Sequence, residues 1–155
     1  MDDLRGYAEE VGLWSSRQGT PPAYGKLLGW LLICDPPQQS LTELAQTLSV
    51  SKASVSTVAR QLQQAGMIER LPSSSRQHLY RVTPGGFASV LGTQLSLMKF
   101  GIDAADFGLS LLDKKHSEQR ERLEDFRDFC EFSAQDYRDE LMQRWLDYRA
   151  KRRPS

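Results

Sequence analysis

The residues of this 155-residue chain best suited to chemistry are polar and basic, and they gather in its middle third. Ser51-Lys52-Ala53-Ser54-Val55-Ser56-Thr57-Val58-Ala59-Arg60-Gln61 sets small hydroxyl residues and two cations around apolar positions at helical spacing. With Val55, Val58, Ala59, Leu62 and Ala65 turned inward, the outward face presents Ala53, Ser56, Thr57, Arg60 and Gln64. Lys52, Ser54 and Gln61 stand at its margins. Small hydroxyls at a helix start allow close approach to a duplex. Their oxygens and the free N–H groups beside them meet phosphates or base edges. Arg60, two turns in, is long enough to grip a base edge with two hydrogen bonds or to clamp a phosphate. Arg76 sits in Pro72-Ser73-Ser74-Ser75-Arg76-Gln77, a slim polar loop. It suits a minor groove, whose negative potential favours a cation. Taken singly, each of these residues reads equally as a cap or a surface charge; the joint pattern points to nucleic acid.

Other chemistries find little material. The two histidines, His78 and His116, fall in an expected hairpin and an expected break, and no His/Cys/Asp cluster has metal-ligand spacing. No Gly-x-x-x-x-Gly-Lys phosphate loop is present, and Gly85-Gly86 reads as the opening of a helix. Glu121, Glu124, Asp125 and Asp128 alternate with Arg120, Arg122 and Arg127, the pattern of a solvated, ion-paired face. Neither an enzyme, a metal nor a cofactor is expected. Cys34 lies in an apolar run and Cys130 on a packing stripe, so both are expected buried and inert. A redox sensor would need an exposed thiol of lowered pKa.

Apolar residues at 39% and charged residues at 26% describe a folded chain rather than a disordered or membrane-embedded one. The longest strongly apolar run, Leu27 to Cys34, is eight residues, against the roughly 20 that span a bilayer. The charged opening (Asp2, Asp3, Arg5, Glu9, Glu10) is unlike a signal peptide, and two lone cysteines give no disulfide framework. These features suggest a cytoplasmic protein with no membrane partner. The zero net charge is unevenly spread. Residues 1–35 carry three Lys/Arg against five Asp/Glu, residues 36–83 five against two, and residues 84–155 twelve against thirteen. Binding to phosphates depends on the local field, and the middle segment is basic at net +3.

The elements that must position these residues follow from period and punctuation. Leu4, Tyr7, Ala8, Val11 and Trp14 predict an amphipathic helix to about Ser15, broken by Gly19-Thr20-Pro21-Pro22. A buried helix follows from Ala23 to Cys34 and is stopped by Pro36-Pro37. Ser40 with Glu43 forms a candidate capping box for a short helix carrying Leu41, Leu44, Ala45 and Leu48. Ser49-Val50 ends it, Ser51 caps the next, and Gly66 stops that one. Met67–Leu71 and His78–Val82 read as strands of a hairpin, so a helix-turn-helix is followed directly by a β wing. Thr83 and Pro84 are expected as cap and first residue of a further helix, with Phe87, Val90, Leu91, Leu95, Met98, Ile102 and Ala105 on its stripe to about Leu112. After a break at Lys114–Ser117, a helix from 118 to 151 carries Leu123, Phe126, Cys130, Ser133, Tyr137, Leu141, Trp145 and Tyr148. At 1.5 Å per residue it would be about 50 Å long, more than a small domain buries against itself, so it either protrudes or packs on another chain, and an obligate dimer with exchanged terminal helices is the economical expectation.

The residues Leu44 to Ser56, Leu62 to Arg70, Arg76 and Val82-Thr83-Pro84-Gly85-Gly86 resemble the winged-helix core of the MarR family of bacterial transcriptional regulators, over about residues 23–90. Pro22-Ala23-Tyr24-Gly25-Lys26-Leu27-Leu28-Gly29-Trp30-Leu31 with Asp35-Pro36, and Arg122-Leu123 to Phe132 with Arg144-Trp145, are similar to the GbsR-like branch and extend the resemblance over nearly the whole chain. The resemblance implies one domain over 1–155, mainly α with a small hairpin wing: a DNA-binding core at 23–90, with helical dimerisation regions at 1–18 and 91–155. It implies a homodimer that reads double-stranded DNA at a near-palindromic operator, probed by Ser51, Lys52, Ala53, Ser54, Ser56, Thr57, Arg60, Gln61 and Arg76. It further implies repression relieved by a small molecule. The family's wing usually carries Asp-x-Arg. Here Ser74 stands at the acidic position, and a hydroxyl holds Arg76 less rigidly. Regulators of the GbsR type are associated with choline-like effectors, which take an aromatic cage. Tyr24, Trp30, Phe100 and Phe107 are candidate walls, though the same aromatics also read as packing. The rival reading is a winged helix that docks a protein rather than DNA; a docking wing has no need of the basic segment.

Overall fold

The computed structural model describes residues 2–134 and 137–153, and the chain divides into two compact units, Met1–Ser89 and Val90–Ser155. The first contains helices α1 (Asp2–Arg17), α2 (Pro22–Ile33), α3 (Leu41–Leu48) and α4 (Lys52–Gln64), with strands β1 (Gln39–Ser40), β2 (Ile68–Leu71) and β3 (Leu79–Val82). Helix α5 (Gly86–Ser110) runs on into the second unit, which also holds α6 (Ser117–Ala134) and α7 (Tyr137–Arg152). This is the mainly helical winged helix-turn-helix that the residue pattern predicts.

Helices α1 and α2 meet backbone to backbone because the contact is lined with small residues. A Cβ added to Gly25 would collide with Ser15 Cβ and the Val11 carbonyl, and one at Gly29 would come within 2.8 Å of Val11 Cβ. Ala8, at 1% exposure, and Ser15, at 3%, complete the seam. The expected stripe is thus rotated. Ala8, Val11, Gly12 and Ser15 face α2, whereas Leu4, Tyr7 and Trp14 remain exposed. Bulky residues cannot enter so narrow a gap. The helix grouped by sequence with the dimerisation region is therefore packed on α2 in this first unit.

Helix α3 opens with a complete capping box. The Ser40 hydroxyl accepts from the Glu43 N–H at 3.2 Å, and Glu43 Oε2 accepts from the Ser40 N–H at 2.7 Å. It closes on Ser49, which holds a left-handed conformation at φ 53. Ser51 then caps α4, its hydroxyl accepting from the Ser54 N–H at 3.1 Å. Gly66, at φ 78, turns the chain out of α4, and the Met67 N–H returns to the Leu62 carbonyl at 2.9 Å. Leu44, Leu48, Val55, Val58, Ala59 and Leu62 are buried with Leu27, Leu31, Ile68 and Tyr80 in one core.

The sheet has the order β1-β3-β2, antiparallel throughout, with Glu69 opposite Arg81 and Ser40 opposite Leu79. The Glu69–Arg81 pair is a cross-strand ion pair of 2.6 Å, so one of the five middle-segment cations is neutralised within the wing. Strand β1 has no counterpart among the expected elements. Two residues show no period, and its pairing comes from tertiary contact with β3.

The fifth helix begins at Gly86, not at Thr83 or Pro84. Gly85 is left-handed at φ 72, and the Gly86 N–H closes a turn on the Thr83 carbonyl at 2.9 Å, so Thr83 and Pro84 lie in a turn before the helix. Phe87, expected on the packing stripe, is exposed. In the second unit α5 and α6 run antiparallel, with Gly101 against Cys130 and Gly108 against Leu123. Arg127 pairs with Asp106 at 2.6 Å and Glu131 at 2.8 Å. The Arg120 guanidinium donates to the carbonyls of Leu109 (3.2 Å) and Leu112 (2.9 Å) at the end of α5. These two arginines, expected on a solvated face, instead tie the hairpin together. The single helix expected over 118–151 is described as α6 and α7; residues 135 and 136, and the side chains of Leu91, Leu95 and Tyr137, lie outside the described residues. Among the described residues no helix is long and apolar enough to cross a membrane, and no His/Cys/Asp/Glu cluster could hold a metal.

Candidate nucleic-acid interface

The apolar period of α4 decides which side chains face out. Burying Val55, Val58, Ala59 and Leu62 leaves Lys52, Ala53, Thr57, Arg60, Gln61 and Gln64 exposed, with Ser54 and Ser56 half-buried beside them. The helix is anchored through its inner face and its Ser51 cap, so the outer face is free to meet a partner. Among the described residues Lys52 and Arg60 make no hydrogen bond or ion pair. Ser51, expected to meet the duplex, has its hydroxyl engaged in the cap. The Thr57 hydroxyl donates to the Ala53 carbonyl at 3.0 Å.

Beyond α4 the wing tip is held by its serines. Ser73 and Ser75 share a hydroxyl–hydroxyl bond of 3.0 Å, the Ser75 N–H donates to Ser73 Oγ at 3.2 Å, and the Gln77 N–H donates to Ser75 Oγ at 3.3 Å. The expectation that Ser74 holds Arg76 fails. The loop is braced by Ser73 and Ser75, while the Arg76 guanidinium has no hydrogen-bond partner among the described residues. Its exposed, unengaged head lies on the same side of the molecule as the start of α4. A cleft of 310 Å³ is lined by Leu41, Thr42, Lys52, Arg76, Gln77 and His78. A second, also of 310 Å³, is lined by Ser40, Thr42, Glu43, Ser75, Gln77 and Leu79. The structure thus brings Lys52 together with Arg76, 24 positions apart in sequence. Thr42, Gln77 and His78, which residue patterns did not single out, join them. The missing signal was the β1–β3 pairing, which brings the start of α3 to the wing.

The electrostatics of this region are set by few groups. The Ser40 backbone N–H and hydroxyl hold the Glu43 carboxyl below its usual range. The exposed face of α4 carries no carboxylate at all. Anions therefore meet Lys52, Arg60 and Arg76 without a competing acid on that helix.

The expected effector walls are divided between the two units. Trp30 is buried at 7% exposure, and Tyr24 packs against the same core with its hydroxyl 3.8 Å from Met67 Sδ. Burial pushes the Tyr24 phenol up from its ordinary pKa. The Trp30 indole N–H has no acceptor among the described residues. Phe100 and Phe107 are exposed on α5 in the second unit, at 70% and 66%. Both cysteines are buried, and burial pushes the Cys34 thiol up, away from the reactive thiolate.

Two family models match the chain: MarR family over residues 31–77, and MmpR5-like MarR family transcriptional regulator over residues 85–148. The chain is 36% identical to the HTH-type transcriptional regulator MmpR5 of Mycobacterium tuberculosis over 131 residues, covering 84% of this chain and 79% of that protein. A crystal structure described as a transcriptional regulator superposes with a TM-score of 0.83 at 33% identity, covering 94% of this chain and 99% of that one. With the winged helix-turn-helix already built from its own caps, core and sheet, the chain belongs to the MarR family of transcriptional regulators.

Proposed function

We propose that this MarR-family protein is a sequence-specific DNA-binding regulator acting as a homodimeric repressor of a near-palindromic operator. Helix α4 enters the major groove and the wing reaches the adjoining minor groove. One observation carries the reading. Lys52, Arg60 and Arg76 are exposed, their side chains have no hydrogen-bond or ion-pair partner among the described residues, and Lys52 and Arg76 line one cleft although they come from different elements. Lys52 and Arg76 supply phosphate and minor-groove affinity, while Arg60, Ser56, Thr57 and Gln61 choose among bases. The protein acts in the cytoplasm, where its target DNA lies, and performs no catalysis.

The homodimer reading is supported by large apolar side chains left exposed on the second unit, among them Leu97, Phe107, Leu111 and Phe129. Within the family, the flanking residues Pro22 to Leu31 and Arg122 to Phe132 support placement near the GbsR-like branch, alongside the MmpR5-like description matched over 85–148. A small-molecule effector of quaternary ammonium type belongs to that finer reading, with Phe100 and Phe107 as its available aromatics. Titrating choline into the protein–operator complex tests it, and an unchanged affinity removes it.

The main test is selection of the protein against a random duplex library at low salt, where phosphate contacts are strongest. Enrichment of a two-fold symmetric site, with half-sites about one helical turn apart, is the expected result. Failure to enrich any sequence, alongside capture of a protein partner by the same α4 face, would establish the docking-module alternative instead.

A further inference from the structure

Every side chain on the exposed face of α4 except one keeps its polar hydrogens free for a partner. The side chains of Lys52, Arg60, Gln61 and Gln64 are exposed and make no hydrogen bond among the described residues. Thr57 differs. It is exposed midway along the helix, but its hydroxyl donates to the Ala53 carbonyl one turn back at 3.0 Å. This back-bond is an established alternative for threonine in helices. It uses the only hydrogen that the side chain can donate. The base acceptors of the major groove, purine N7, guanine O6 and thymine O4, therefore get no donor from Thr57 while the bond holds. What the residue still offers is its Cγ2 methyl, together with hydroxyl lone pairs that can only accept, from adenine N6–H or cytosine N4–H. Among the four bases only thymine presents a complementary apolar group in the major groove, the C5-methyl.

We propose that Thr57 is a specificity-determining residue that selects thymine through contact between its methyl group and the thymine C5-methyl, rather than through a hydrogen bond from its hydroxyl. The inference rests on the reading of α4 as the major-groove helix. Its neighbours sharpen it. Ala53, one turn earlier, is itself only a methyl and leaves the approach to Thr57 open. Arg60, one turn later, is the long donor suited to guanine. Thr57 and Arg60 are three residues apart, about 4.5 Å along the helix axis. At 3.4 Å per base-pair step this places the two readouts on the same or neighbouring pairs. The predicted half-site thus holds a thymine beside a guanine.

The test uses the full chain and the operator that library selection returns. Each thymine of one half-site is replaced in turn by deoxyuridine, which removes the C5-methyl and nothing else, and affinity is read by fluorescence anisotropy. At one thymine the replacement should weaken the natural protein about three- to tenfold. Thr57→Ser keeps the hydroxyl and loses the methyl, and should bind the thymine and uracil duplexes equally. Thr57→Val keeps a methyl and loses the hydroxyl, and should preserve the preference. Circular dichroism and melting curves of both variants establish that they fold. The proposal is overturned if no thymine-to-uracil change in the half-site matters to the natural protein. It is equally overturned if Thr57→Ser retains the preference, or if Thr57→Val abolishes it while remaining folded. A protein that enriches no sequence at all defeats the DNA-binding reading itself. Sequence-specific binding indifferent to uracil defeats only the role given to Thr57.

Discussion

On the proposed DNA-binding reading, two arginines separate the components of recognition. Arg60 lies on the exposed face of α4, and Arg76 at a wing tip braced by Ser73 and Ser75. Arg60→Ala should cost about 1–3 kcal/mol on the selected operator and relax choice at one base position. Arg76→Ala should instead weaken all sequences nearly alike and flatten the dependence of log affinity on log salt by about one unit. Anisotropy titrations on matched and scrambled duplexes over a salt series distinguish the two. An equal loss on every sequence would reassign Arg60 to phosphate. Ser49 tells a different story at the same scale. It is exposed, has a Cβ, and sits at φ 53 where glycine is at ease. Ser49→Gly should therefore raise stability by about 0.5–1 kcal/mol, read as a melting temperature higher by a few degrees.

Helix ends and helix seams carry the element-scale consequences. The capping box of α3 depends on an ionised Glu43, whose carboxyl is held below its usual range by the Ser40 backbone N–H and hydroxyl. A lowered pKa in the folded state means the stabilisation is fully present above the unfolded value, about 4.3, and drains away as pH falls through the folded value. Glu43→Gln should thus be less stable than the natural chain at neutral pH, with the difference shrinking as the pH is lowered below the unfolded value, in denaturant titrations at each pH. Ser40→Ala should cost about 1 kcal/mol, because it removes the acceptor for the Glu43 N–H. In the α1–α2 seam, a Cβ at Gly25 collides with Ser15 and the Val11 carbonyl. Gly25→Val should cost upwards of about 3 kcal/mol and loosen α1, seen as earlier hydrogen exchange across residues 4–16. The seam also shows what the sequence left illegible. Period placed Leu4, Tyr7 and Trp14 inward because they are apolar, yet glycine spacing, which carries no hydropathy signal, set the true contact. The caps of α3 and α4 were legible because Ser40, Glu43 and Ser51 act on neighbours three residues away. The two-residue β1 and the role of Arg120 and Arg127 were not, since both depend on partners remote in the chain.

For the whole molecule, the exposed apolar side chains of the second unit need a cover. Phe107 on α5 and Leu111, just past its end, are 66% and 67% exposed. Sedimentation equilibrium should give twice the chain mass at micromolar concentration. Joint Phe107→Asp and Leu111→Asp replacement should return the mass to one chain and cut affinity for the two-fold operator by at least a hundredfold, because two half-sites bind jointly only when linked. A monomeric natural protein would require another cover for these residues. The division of labour by charge was visible in the sequence: the basic segment 36–83 coincides with the winged helix.

Strand β1 is only Gln39–Ser40, yet Ser40 is at once the cap of α3 and the partner of Leu79 in the wing. The base of the wing is thereby indexed to the helix-turn-helix like two teeth on one gear. Pairing through Ser40 holds the base of the wing at a set distance from the two helices. An operator with one base pair inserted between its major-groove and minor-groove segments would have to make up the 3.4 Å in its own twist and bend. Among natural operators of this protein, that spacing should be the least variable feature, more constant than the bases on either side of it.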